Sequence, residues 1–326
     1  DDGADLGDAE VTEIAMRYQL GAGTIERAAA SARLIGQERR PGGRMTTPDL
    51  VAGIRNNIAE RLGTLARRVE VRQTWNDVVL SPDLMDQIHA LTARIRHAHQ
   101  VYEEWGFSKK AARGIGVPVL FSGPPGTGKT MVAGIIAREL ELELLQVDLS
   151  QVVSKWIGET EKQLSRVFDA AEAGHALLLF DEADALFAKR TEVKGANDRY
   201  ANLEVNYLLQ RVESFGGITI LTTNFDTGID QALKRRLAAH VVFWPPDEDE
   251  RADLWQRMLT TGSAPVSPKL DLARLARTYP DMTGANIRNA VLAAAFLAAS
   301  EARSIDQEHL ERAANGEYRT MGRVLR

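Results

Sequence analysis

The stretch Gly123-Pro-Pro-Gly126-Thr-Gly128-Lys129-Thr130 fits the pattern G-x-x-x-x-G-K-[ST]. It stands between a strand-length apolar run, Val117–Phe121, and a helical pattern, Thr130–Leu140. Glycines there let successive backbone N–H groups curl around phosphate oxygens without Cβ clashes. Lys129 supplies a compact cation for β/γ-phosphates, and the Thr130 hydroxyl is a ligand for Mg²⁺. The helix that Thr130 opens adds its positive end. A loop of this kind works only where a buried strand delivers it to a helix N-terminus, which fixes the fold class around it.

A second element completes that reading. Leu177-Leu-Leu-Phe180 is an apolar strand ending in Asp181-Glu182, about 50 residues after the loop. Asp181 is placed to hold Mg²⁺, directly or through water. Glu182 is placed to orient and deprotonate an attacking water. Adjacent carboxylates at one strand end are costly unless a cation neutralises them.

Further strand-length runs lie at Leu144–Val147, Ile218–Thr222 and Val241–Trp244, with helical patterns at Glu159–Ala173 and Asn202–Ser214 between them. Such alternation predicts a doubly wound, parallel, five-stranded α/β sheet with its ligand at the strands' C-terminal ends. After Pro245-Pro246 only helices read well: Glu248–Leu259, Asp271–Thr278, Ala285–Ser300 and Asp306–Ala314. They form a small all-helical domain.

Composition removes other classes. Without cysteine there is no disulfide scaffold, Cys-zinc site or thiol nucleophile. No apolar run approaches the roughly 18 to 20 residues of a membrane-spanning helix. The net charge of −5 speaks against a dedicated nucleic-acid binder. Charge is uneven: Glu26 to Arg72 holds ten Arg, five acidic residues and no Lys, so +5 against −10 elsewhere. That stretch reads as a solvated helix face or as a basic linker to an acidic neighbour.

Ile14-Ala-Met-Arg-Tyr18 followed by Gly23-Thr-Ile25-Glu-Arg-Ala-Ala29 repeats, with a one-residue gap, Leu275-Ala-Arg-Thr-Tyr279 followed by Ala285-Asn-Ile287-Arg-Asn-Ala-Val291. This self-similarity suggests duplication.

Together these motifs resemble an AAA ATPase of the AAA+ superfamily, over roughly residues 73 to 315. Gly123–Thr130 resembles its Walker A motif and Leu177–Glu182 its Walker B. Ile220-Leu-Thr-Thr-Asn224 resembles the sensor-1 strand, which implies that Asn224 positions the hydrolytic water. Asp230-Gln-Ala-Leu-Lys-Arg235-Arg236-Leu resembles the second region of homology in its gapless katanin and spastin form. The resemblance makes Arg235 and Arg236 candidate arginine fingers toward a neighbouring subunit's γ-phosphate, without saying which acts. Thr283-Gly284-Ala285-Asn286 looks like the start of the lid helix beside adenosine, with Asn286 where Asp is usual; the register leaves Arg288 unassigned. Trp75-Asn-Asp77-Val78-Val79 resembles the segment that meets adenine through backbone, with Leu80 in place of the expected Gly.

The resemblance thus implies ATP and Mg²⁺ as cofactors. ATP would be held by Asp77, Val78, Gly123, Pro124, Pro125, Gly126, Thr127, Gly128, Lys129, Thr130, Met131, Gly284 and Ala285, and Mg²⁺ by Thr130 and Asp181. Lys155-Trp156-Ile157-Gly158 resembles the aromatic pore loop of protein-threading AAA enzymes, and Arg190–Arg199 a second such loop. A tryptophan suits that task, with a large contact area and little rotamer entropy. The reading is a homo-oligomeric ring, a hexamer, that acts on polypeptides in the cytoplasm and spans no membrane; nucleic acid is not its partner. A nucleic-acid loader or helicase and a nucleotide-gated scaffold are the alternative readings. The expected domains are lid helices of an upstream module at 1–42, a linker at 43–73, a large α/β domain at 74–246 and a lid at 247–326.

Overall fold

The computed structural model describes residues 6–18, 20–39, 41–98, 100–107, 116–149, 159–184, 206–224, 234–260 and 263–323. Its centre is a sheet of β1 (Ala66–Arg68), β2 (Val117–Ser122), β3 (Glu143–Val147), β4 (Ala176–Phe180), β5 (Ile218–Thr223) and β6 (Ala239–Val242). The strand order is β1-β3-β4-β5-β2-β6. β2 to β6 are parallel, and β1 runs antiparallel to β3. Every residue of β2, β4 and β5 is buried, because helices cover both faces of the sheet. That is why these strands read as unbroken apolar runs rather than alternating ones.

The sheet therefore has six strands where five were expected. The extra strand, Ala-Arg-Arg, is only three residues long and shows no apolar alternation. Polar pairing holds it: Arg67 Nε and Nη2 donate to Gln146 Oε1 at 3.0 and 2.8 Å, and Arg68 pairs with Glu143.

Two apolar layers flank the sheet. One packs α4 (Pro82–Arg96) and α5 (Lys129–Glu139) on one face, with Ile88, Val132 and Ile136 fully buried. The other packs α6 (Glu159–Ala173) and α7 (206–214), centred on Phe168 against Phe180 and Phe215. Past the sheet, α8 (Glu248–Thr260), α9 (Leu272–Thr278), α10 (Gly284–Ser300) and α11 (Gln307–Thr320) have a core of their own around Trp255, Tyr279 and Ile287. The join at Pro245-Pro246 is held by the buried Arg251, which donates to Pro246 O (2.6 Å) and Ala276 O (3.0 Å).

Three more helices precede β1: α1 (Asp8–Arg17), α2 (Ala22–Arg39) and α3 (Thr47–Leu62). α3 and β1 occupy much of the stretch read as a linker. These helices repeat the register of α9 to α11. Tyr18 caps α1 by donating to Ile14 O, as Tyr279 caps α9 through Leu275 O. Ala28, Ala32 and Gly36 form the buried ridge of α2, as Ala290, Ala294 and Ala298 do for α10. Leu34 and Phe296, at matching positions, are 63% and 69% exposed. Asp49, Ile54 and Ile58 are buried in α3 where His309, Ala314 and Tyr318 are buried in α11.

α2 and α3 approach so closely that a Cβ on Gly53 would run into the Ala28 carbonyl and the Ala32 amide. Gly53→Ala should gain a little helix propensity, yet the clash dominates. A net loss of about 1–3 kcal/mol is expected in urea unfolding. An unchanged midpoint would show that the helices are not packed this closely.

Candidate functional site

The loop from Gly123 to Gly128 joins β2 to α5 at the C-terminal end of the sheet. Gly123, Gly126 and Gly128 have φ of +141°, +79° and +97°, conformations that only glycine adopts without strain. A Cβ on Gly123 would strike the Phe243 carbonyl, and one on Gly126 would strike the Thr283 side chain and Ala285. The loop is thus wedged between the end of β6 and the start of α10. Ala285 N donates to Gly126 O at 3.3 Å.

Lys129, the first residue of α5, is buried at 7% exposure. Its ammonium donates to Gly123 O (2.7 Å), Pro124 O (2.9 Å) and Asn224 Oδ1 (3.1 Å). Burial pushes it below the ordinary lysine range, while the carboxylates of Asp181, Asp184 and Glu182 pull it back up. A phosphate chain in the loop would offer this cation stronger acceptors than those neutral oxygens.

Asp181, at the end of β4, is oriented by three donors. Thr130 Oγ1 (2.9 Å) and Thr222 Oγ1 (2.6 Å) reach Oδ1, and Gln146 Nε2 (3.0 Å) reaches Oδ2. A hydroxyl and a carboxylate oxygen side by side at a phosphate loop form a donor set suited to Mg²⁺, which takes few protein ligands beside phosphate and water. Glu182 follows with φ +53°, a conformation rare outside glycine, and its N–H donates to Thr222 Oγ1 at 3.0 Å. Its side chain is exposed and lines the same cavity as Lys129 and Asn224. Asn224 is held in turn by Asp184, which accepts from its backbone N–H (2.8 Å) and its Nδ2 (3.3 Å).

The cavity has a volume of about 660 Å³. The loop, through Met131, and the carboxylates line one side, and residues 76–81 line another. Leu254 and Met258 of α8 and Gly284 and Ala285 of α10 close it from the lid. Asp77 accepts from Thr74 N (2.7 Å) and Thr74 Oγ1 (2.9 Å) within its own turn, so this wall can offer a ligand backbone groups rather than that carboxylate. Asn286 replaces Asp without loss of the cap: its Oδ1 accepts from Thr283 N (3.1 Å) and Thr283 Oγ1 (2.7 Å), and its Nδ2 donates to Glu317 (2.9 Å).

Residues 119–244 match the family described as the ATPase family associated with various cellular activities (AAA). This region is an AAA ATPase domain. The chain is 31% identical over 173 residues to the cell division cycle protein 48 homolog of Archaeoglobus fulgidus, covering 52% of this chain and 23% of that protein. It is 32% identical over 196 residues to Protein SAV of Sulfolobus acidocaldarius, covering 59% of this chain and 25% of that protein. The proteasome-activating nucleotidase of Methanopyrus kandleri is 29% identical over 237 residues, 69% of this chain and 54% of that protein. The chain thus spans about a quarter of the first two relatives and about half of the third.

AAA domains bind ATP, and the fit of loop, lysine and carboxylates around the cavity agrees with that ligand. Of the residues singled out in the sequence, Asp77, Val78, Pro125, Gly126, Thr127, Gly128, Lys129, Thr130, Met131, Asp181, Glu182, Asn224, Gly284 and Ala285 meet at the cavity, whereas Gly123 and Pro124 do not line it. Arg235 and Arg236 do not line it. Lys155, Trp156 and Ile157, and the loop 190–199, lie outside the described residues. Among the described residues no helix is long and apolar enough to cross a membrane.

Several residues of the AAA site escape sequence reasoning. Gln146 and Asp184 act through partners far apart in sequence, and neither belongs to a motif. Arg288 lines the cavity although the sequence register leaves it without a role. Thr222 lies within the sensor-1 resemblance, and its hydroxyl joins Asp181 to the Glu182 backbone. Thr222→Val keeps the shape and removes both bonds. Steady-state hydrolysis should fall at least about tenfold, since a buried hydrogen bond to a charged group is worth about 1.5–3 kcal/mol. Wild-type turnover in this variant would show that Thr222 does not orient the carboxylates.

Proposed function

We propose that this AAA domain is one unit of a ring, a hexamer, that hydrolyses ATP with Mg²⁺ and remodels polypeptides by drawing them through a central pore. The observation that carries the reading is the convergence of Lys129, Thr130, Asp181, Glu182 and Asn224 on one cavity beneath a lid. Lys129 neutralises the β/γ-phosphates, and Thr130 and Asp181 hold the metal. Glu182 takes the proton of the attacking water, and Asn224 positions that water. Phosphoryl transfer spreads charge over the transferred oxygens, so a further cation on the open side of the site speeds it.

Arg235 is that cation in this reading, supplied to a neighbouring subunit. Arg236 is engaged by Glu213 at 3.1 Å, whereas Arg235 is exposed and enters no ion pair among the described residues. Arg235→Ala and Glu182→Gln should each be inactive alone, because each breaks a different half of a shared site. Mixing the two should restore part of the hydrolysis, as some interfaces then pair an intact Arg235 with an intact Glu182. No recovery at any ratio or concentration would contradict a site shared between subunits.

The threading part rests on Trp156 and on the remodelling and proteolytic relatives, which include ATP-dependent zinc metalloproteases. Trp156→Ala should leave ATP hydrolysis within about threefold of wild type while abolishing unfolding of a tagged polypeptide. Trp156→Tyr should retain much of it, since a flat ring with two χ angles remains. A loss of thermal stability equal to that of a core truncation, about 3–5 kcal/mol, would mark the ring as a core residue instead.

The shared register of α1 to α3 and α9 to α11 supports reading the first helices as a second lid unit, with residues 74–246 and 247–326 as the large domain and its own lid. The Gly53 substitution tests how that first unit is held.

A further inference from the structure

Residues 72–78 belong to no strand of the sheet, and Gln73, Asn76, Asp77 and Val78 among them line the cavity. Side chains hold this strap at both ends. At one end Arg138, near the end of α5, donates from Nη1 to Arg72 O (3.0 Å) and Gln73 O (3.1 Å). Beside it, Trp75 Nε1 donates to Glu139 Oε2 at 2.9 Å. At the other end Arg257, on lid helix α8, donates from Nη1 to Asn76 O (2.8 Å) and Val78 O (3.1 Å). Asp253, one turn earlier on α8, fixes that guanidinium from Nε (3.0 Å) and Nη2 (2.9 Å).

The packing agrees with this division. Val78 is buried in the core beside the sheet, and the next residue, Val79, packs on the core of the lid. The strap therefore hangs between α5, which starts at the phosphate loop, and α8, which follows Pro245-Pro246. Without a ladder of its own, its position depends on the groups that donate to its carbonyls.

We propose that Arg257 is a positioning residue of the nucleotide site, which ties the base-side wall of the cavity to the lid. The inference rests on the nucleotide reading above and assigns the base end of the ligand to the strap. Arg257 joins the Asn76 and Val78 carbonyls to α8, so the wall keeps its binding geometry only with the lid in place. The phosphate end, held by Lys129 and the glycine loop, does not depend on this contact.

The test compares two probes, MgATP and Mg-tripolyphosphate, by titration calorimetry on the full chain. Wild type should bind both. Arg257→Ala should weaken MgATP about tenfold, the scale of one lost charge-assisted hydrogen bond, and leave tripolyphosphate within about twofold. In steady state the loss should fall in KM more than in kcat. Unchanged MgATP affinity, or an equal loss for both probes, would overturn the proposal. Thermal unfolding identifies a variant that fails to fold. In that event Arg257→Lys decides: its single ammonium cannot hold both carbonyls and the Asp253 carboxylate at once. It should weaken MgATP about threefold and spare tripolyphosphate, and any other pattern overturns the assignment. Failure of the wild type to bind either probe would instead refute the nucleotide reading itself.

Discussion

Gly123 and Gly126 carry no Cβ, and two parts of the molecule meet the phosphate loop through the space this leaves. The end of β6 brings the Phe243 carbonyl against Gly123, and the first turn of α10 brings Thr283 and Ala285 against Gly126. Any side chain at either position would push the loop off β6 or the lid off the loop. The remaining contacts of the cavity are consequences of that seating. Lys129 reaches back to the loop carbonyls because Gly128 turns left-handed just before α5 begins. The lid helices come close enough for α8 to reach the strap at residues 76–78.

The electrostatics follow from the same seating. The site gathers one buried cation, Lys129, and three carboxylates, Asp181, Glu182 and Asp184, which all follow the end of β4. Two of the three are satisfied by neutral donors. Asp181 takes hydrogen bonds from Thr130, Thr222 and Gln146, and Asp184 takes them from Thr223 and Asn224. Glu182 differs in having an exposed side chain on a backbone held at positive φ by its bond to Thr222. A carboxylate free to meet water beside two that are held fixed is the arrangement expected of a base next to a metal and a positioning group. Strain at that one residue is accepted where the surrounding strand ends determine it.

Much of the fold was legible because the strands are buried on both faces. The runs at Val117, Leu144, Leu177 and Ile218 each became a strand within a residue of the expected limits, and Glu159–Ala173 became a helix over its full length. The last strand lies at Ala239–Val242, two residues before the run that suggested it, since Phe243 and Trp244 are apolar but already lead into the Pro245-Pro246 join. β1 could not be read, because three residues of Ala-Arg-Arg carry no period. α11 runs six residues past Ala314, through polar positions such as Asn315 and Gly316 that interrupt the apolar pattern on its exposed side. The motif residues of the site were visible because the chemistry dictates their spacing. Gln146, Asp184 and Arg257 were not, because each acts through a partner that only the fold brings near, Arg257 across about 180 residues of chain.

The central claim is that the glycine loop, Lys129 and the two strand-end residues make one site for a nucleoside triphosphate. Calorimetric titration of MgATP into the purified chain, beside its Lys129→Ala variant, tests it most directly. The account predicts one site per chain in the wild type and at least about a hundredfold weaker binding in the variant, since the buried cation is the compact charge nearest the phosphates. Equal binding by both proteins, or none by the wild type, would contradict it.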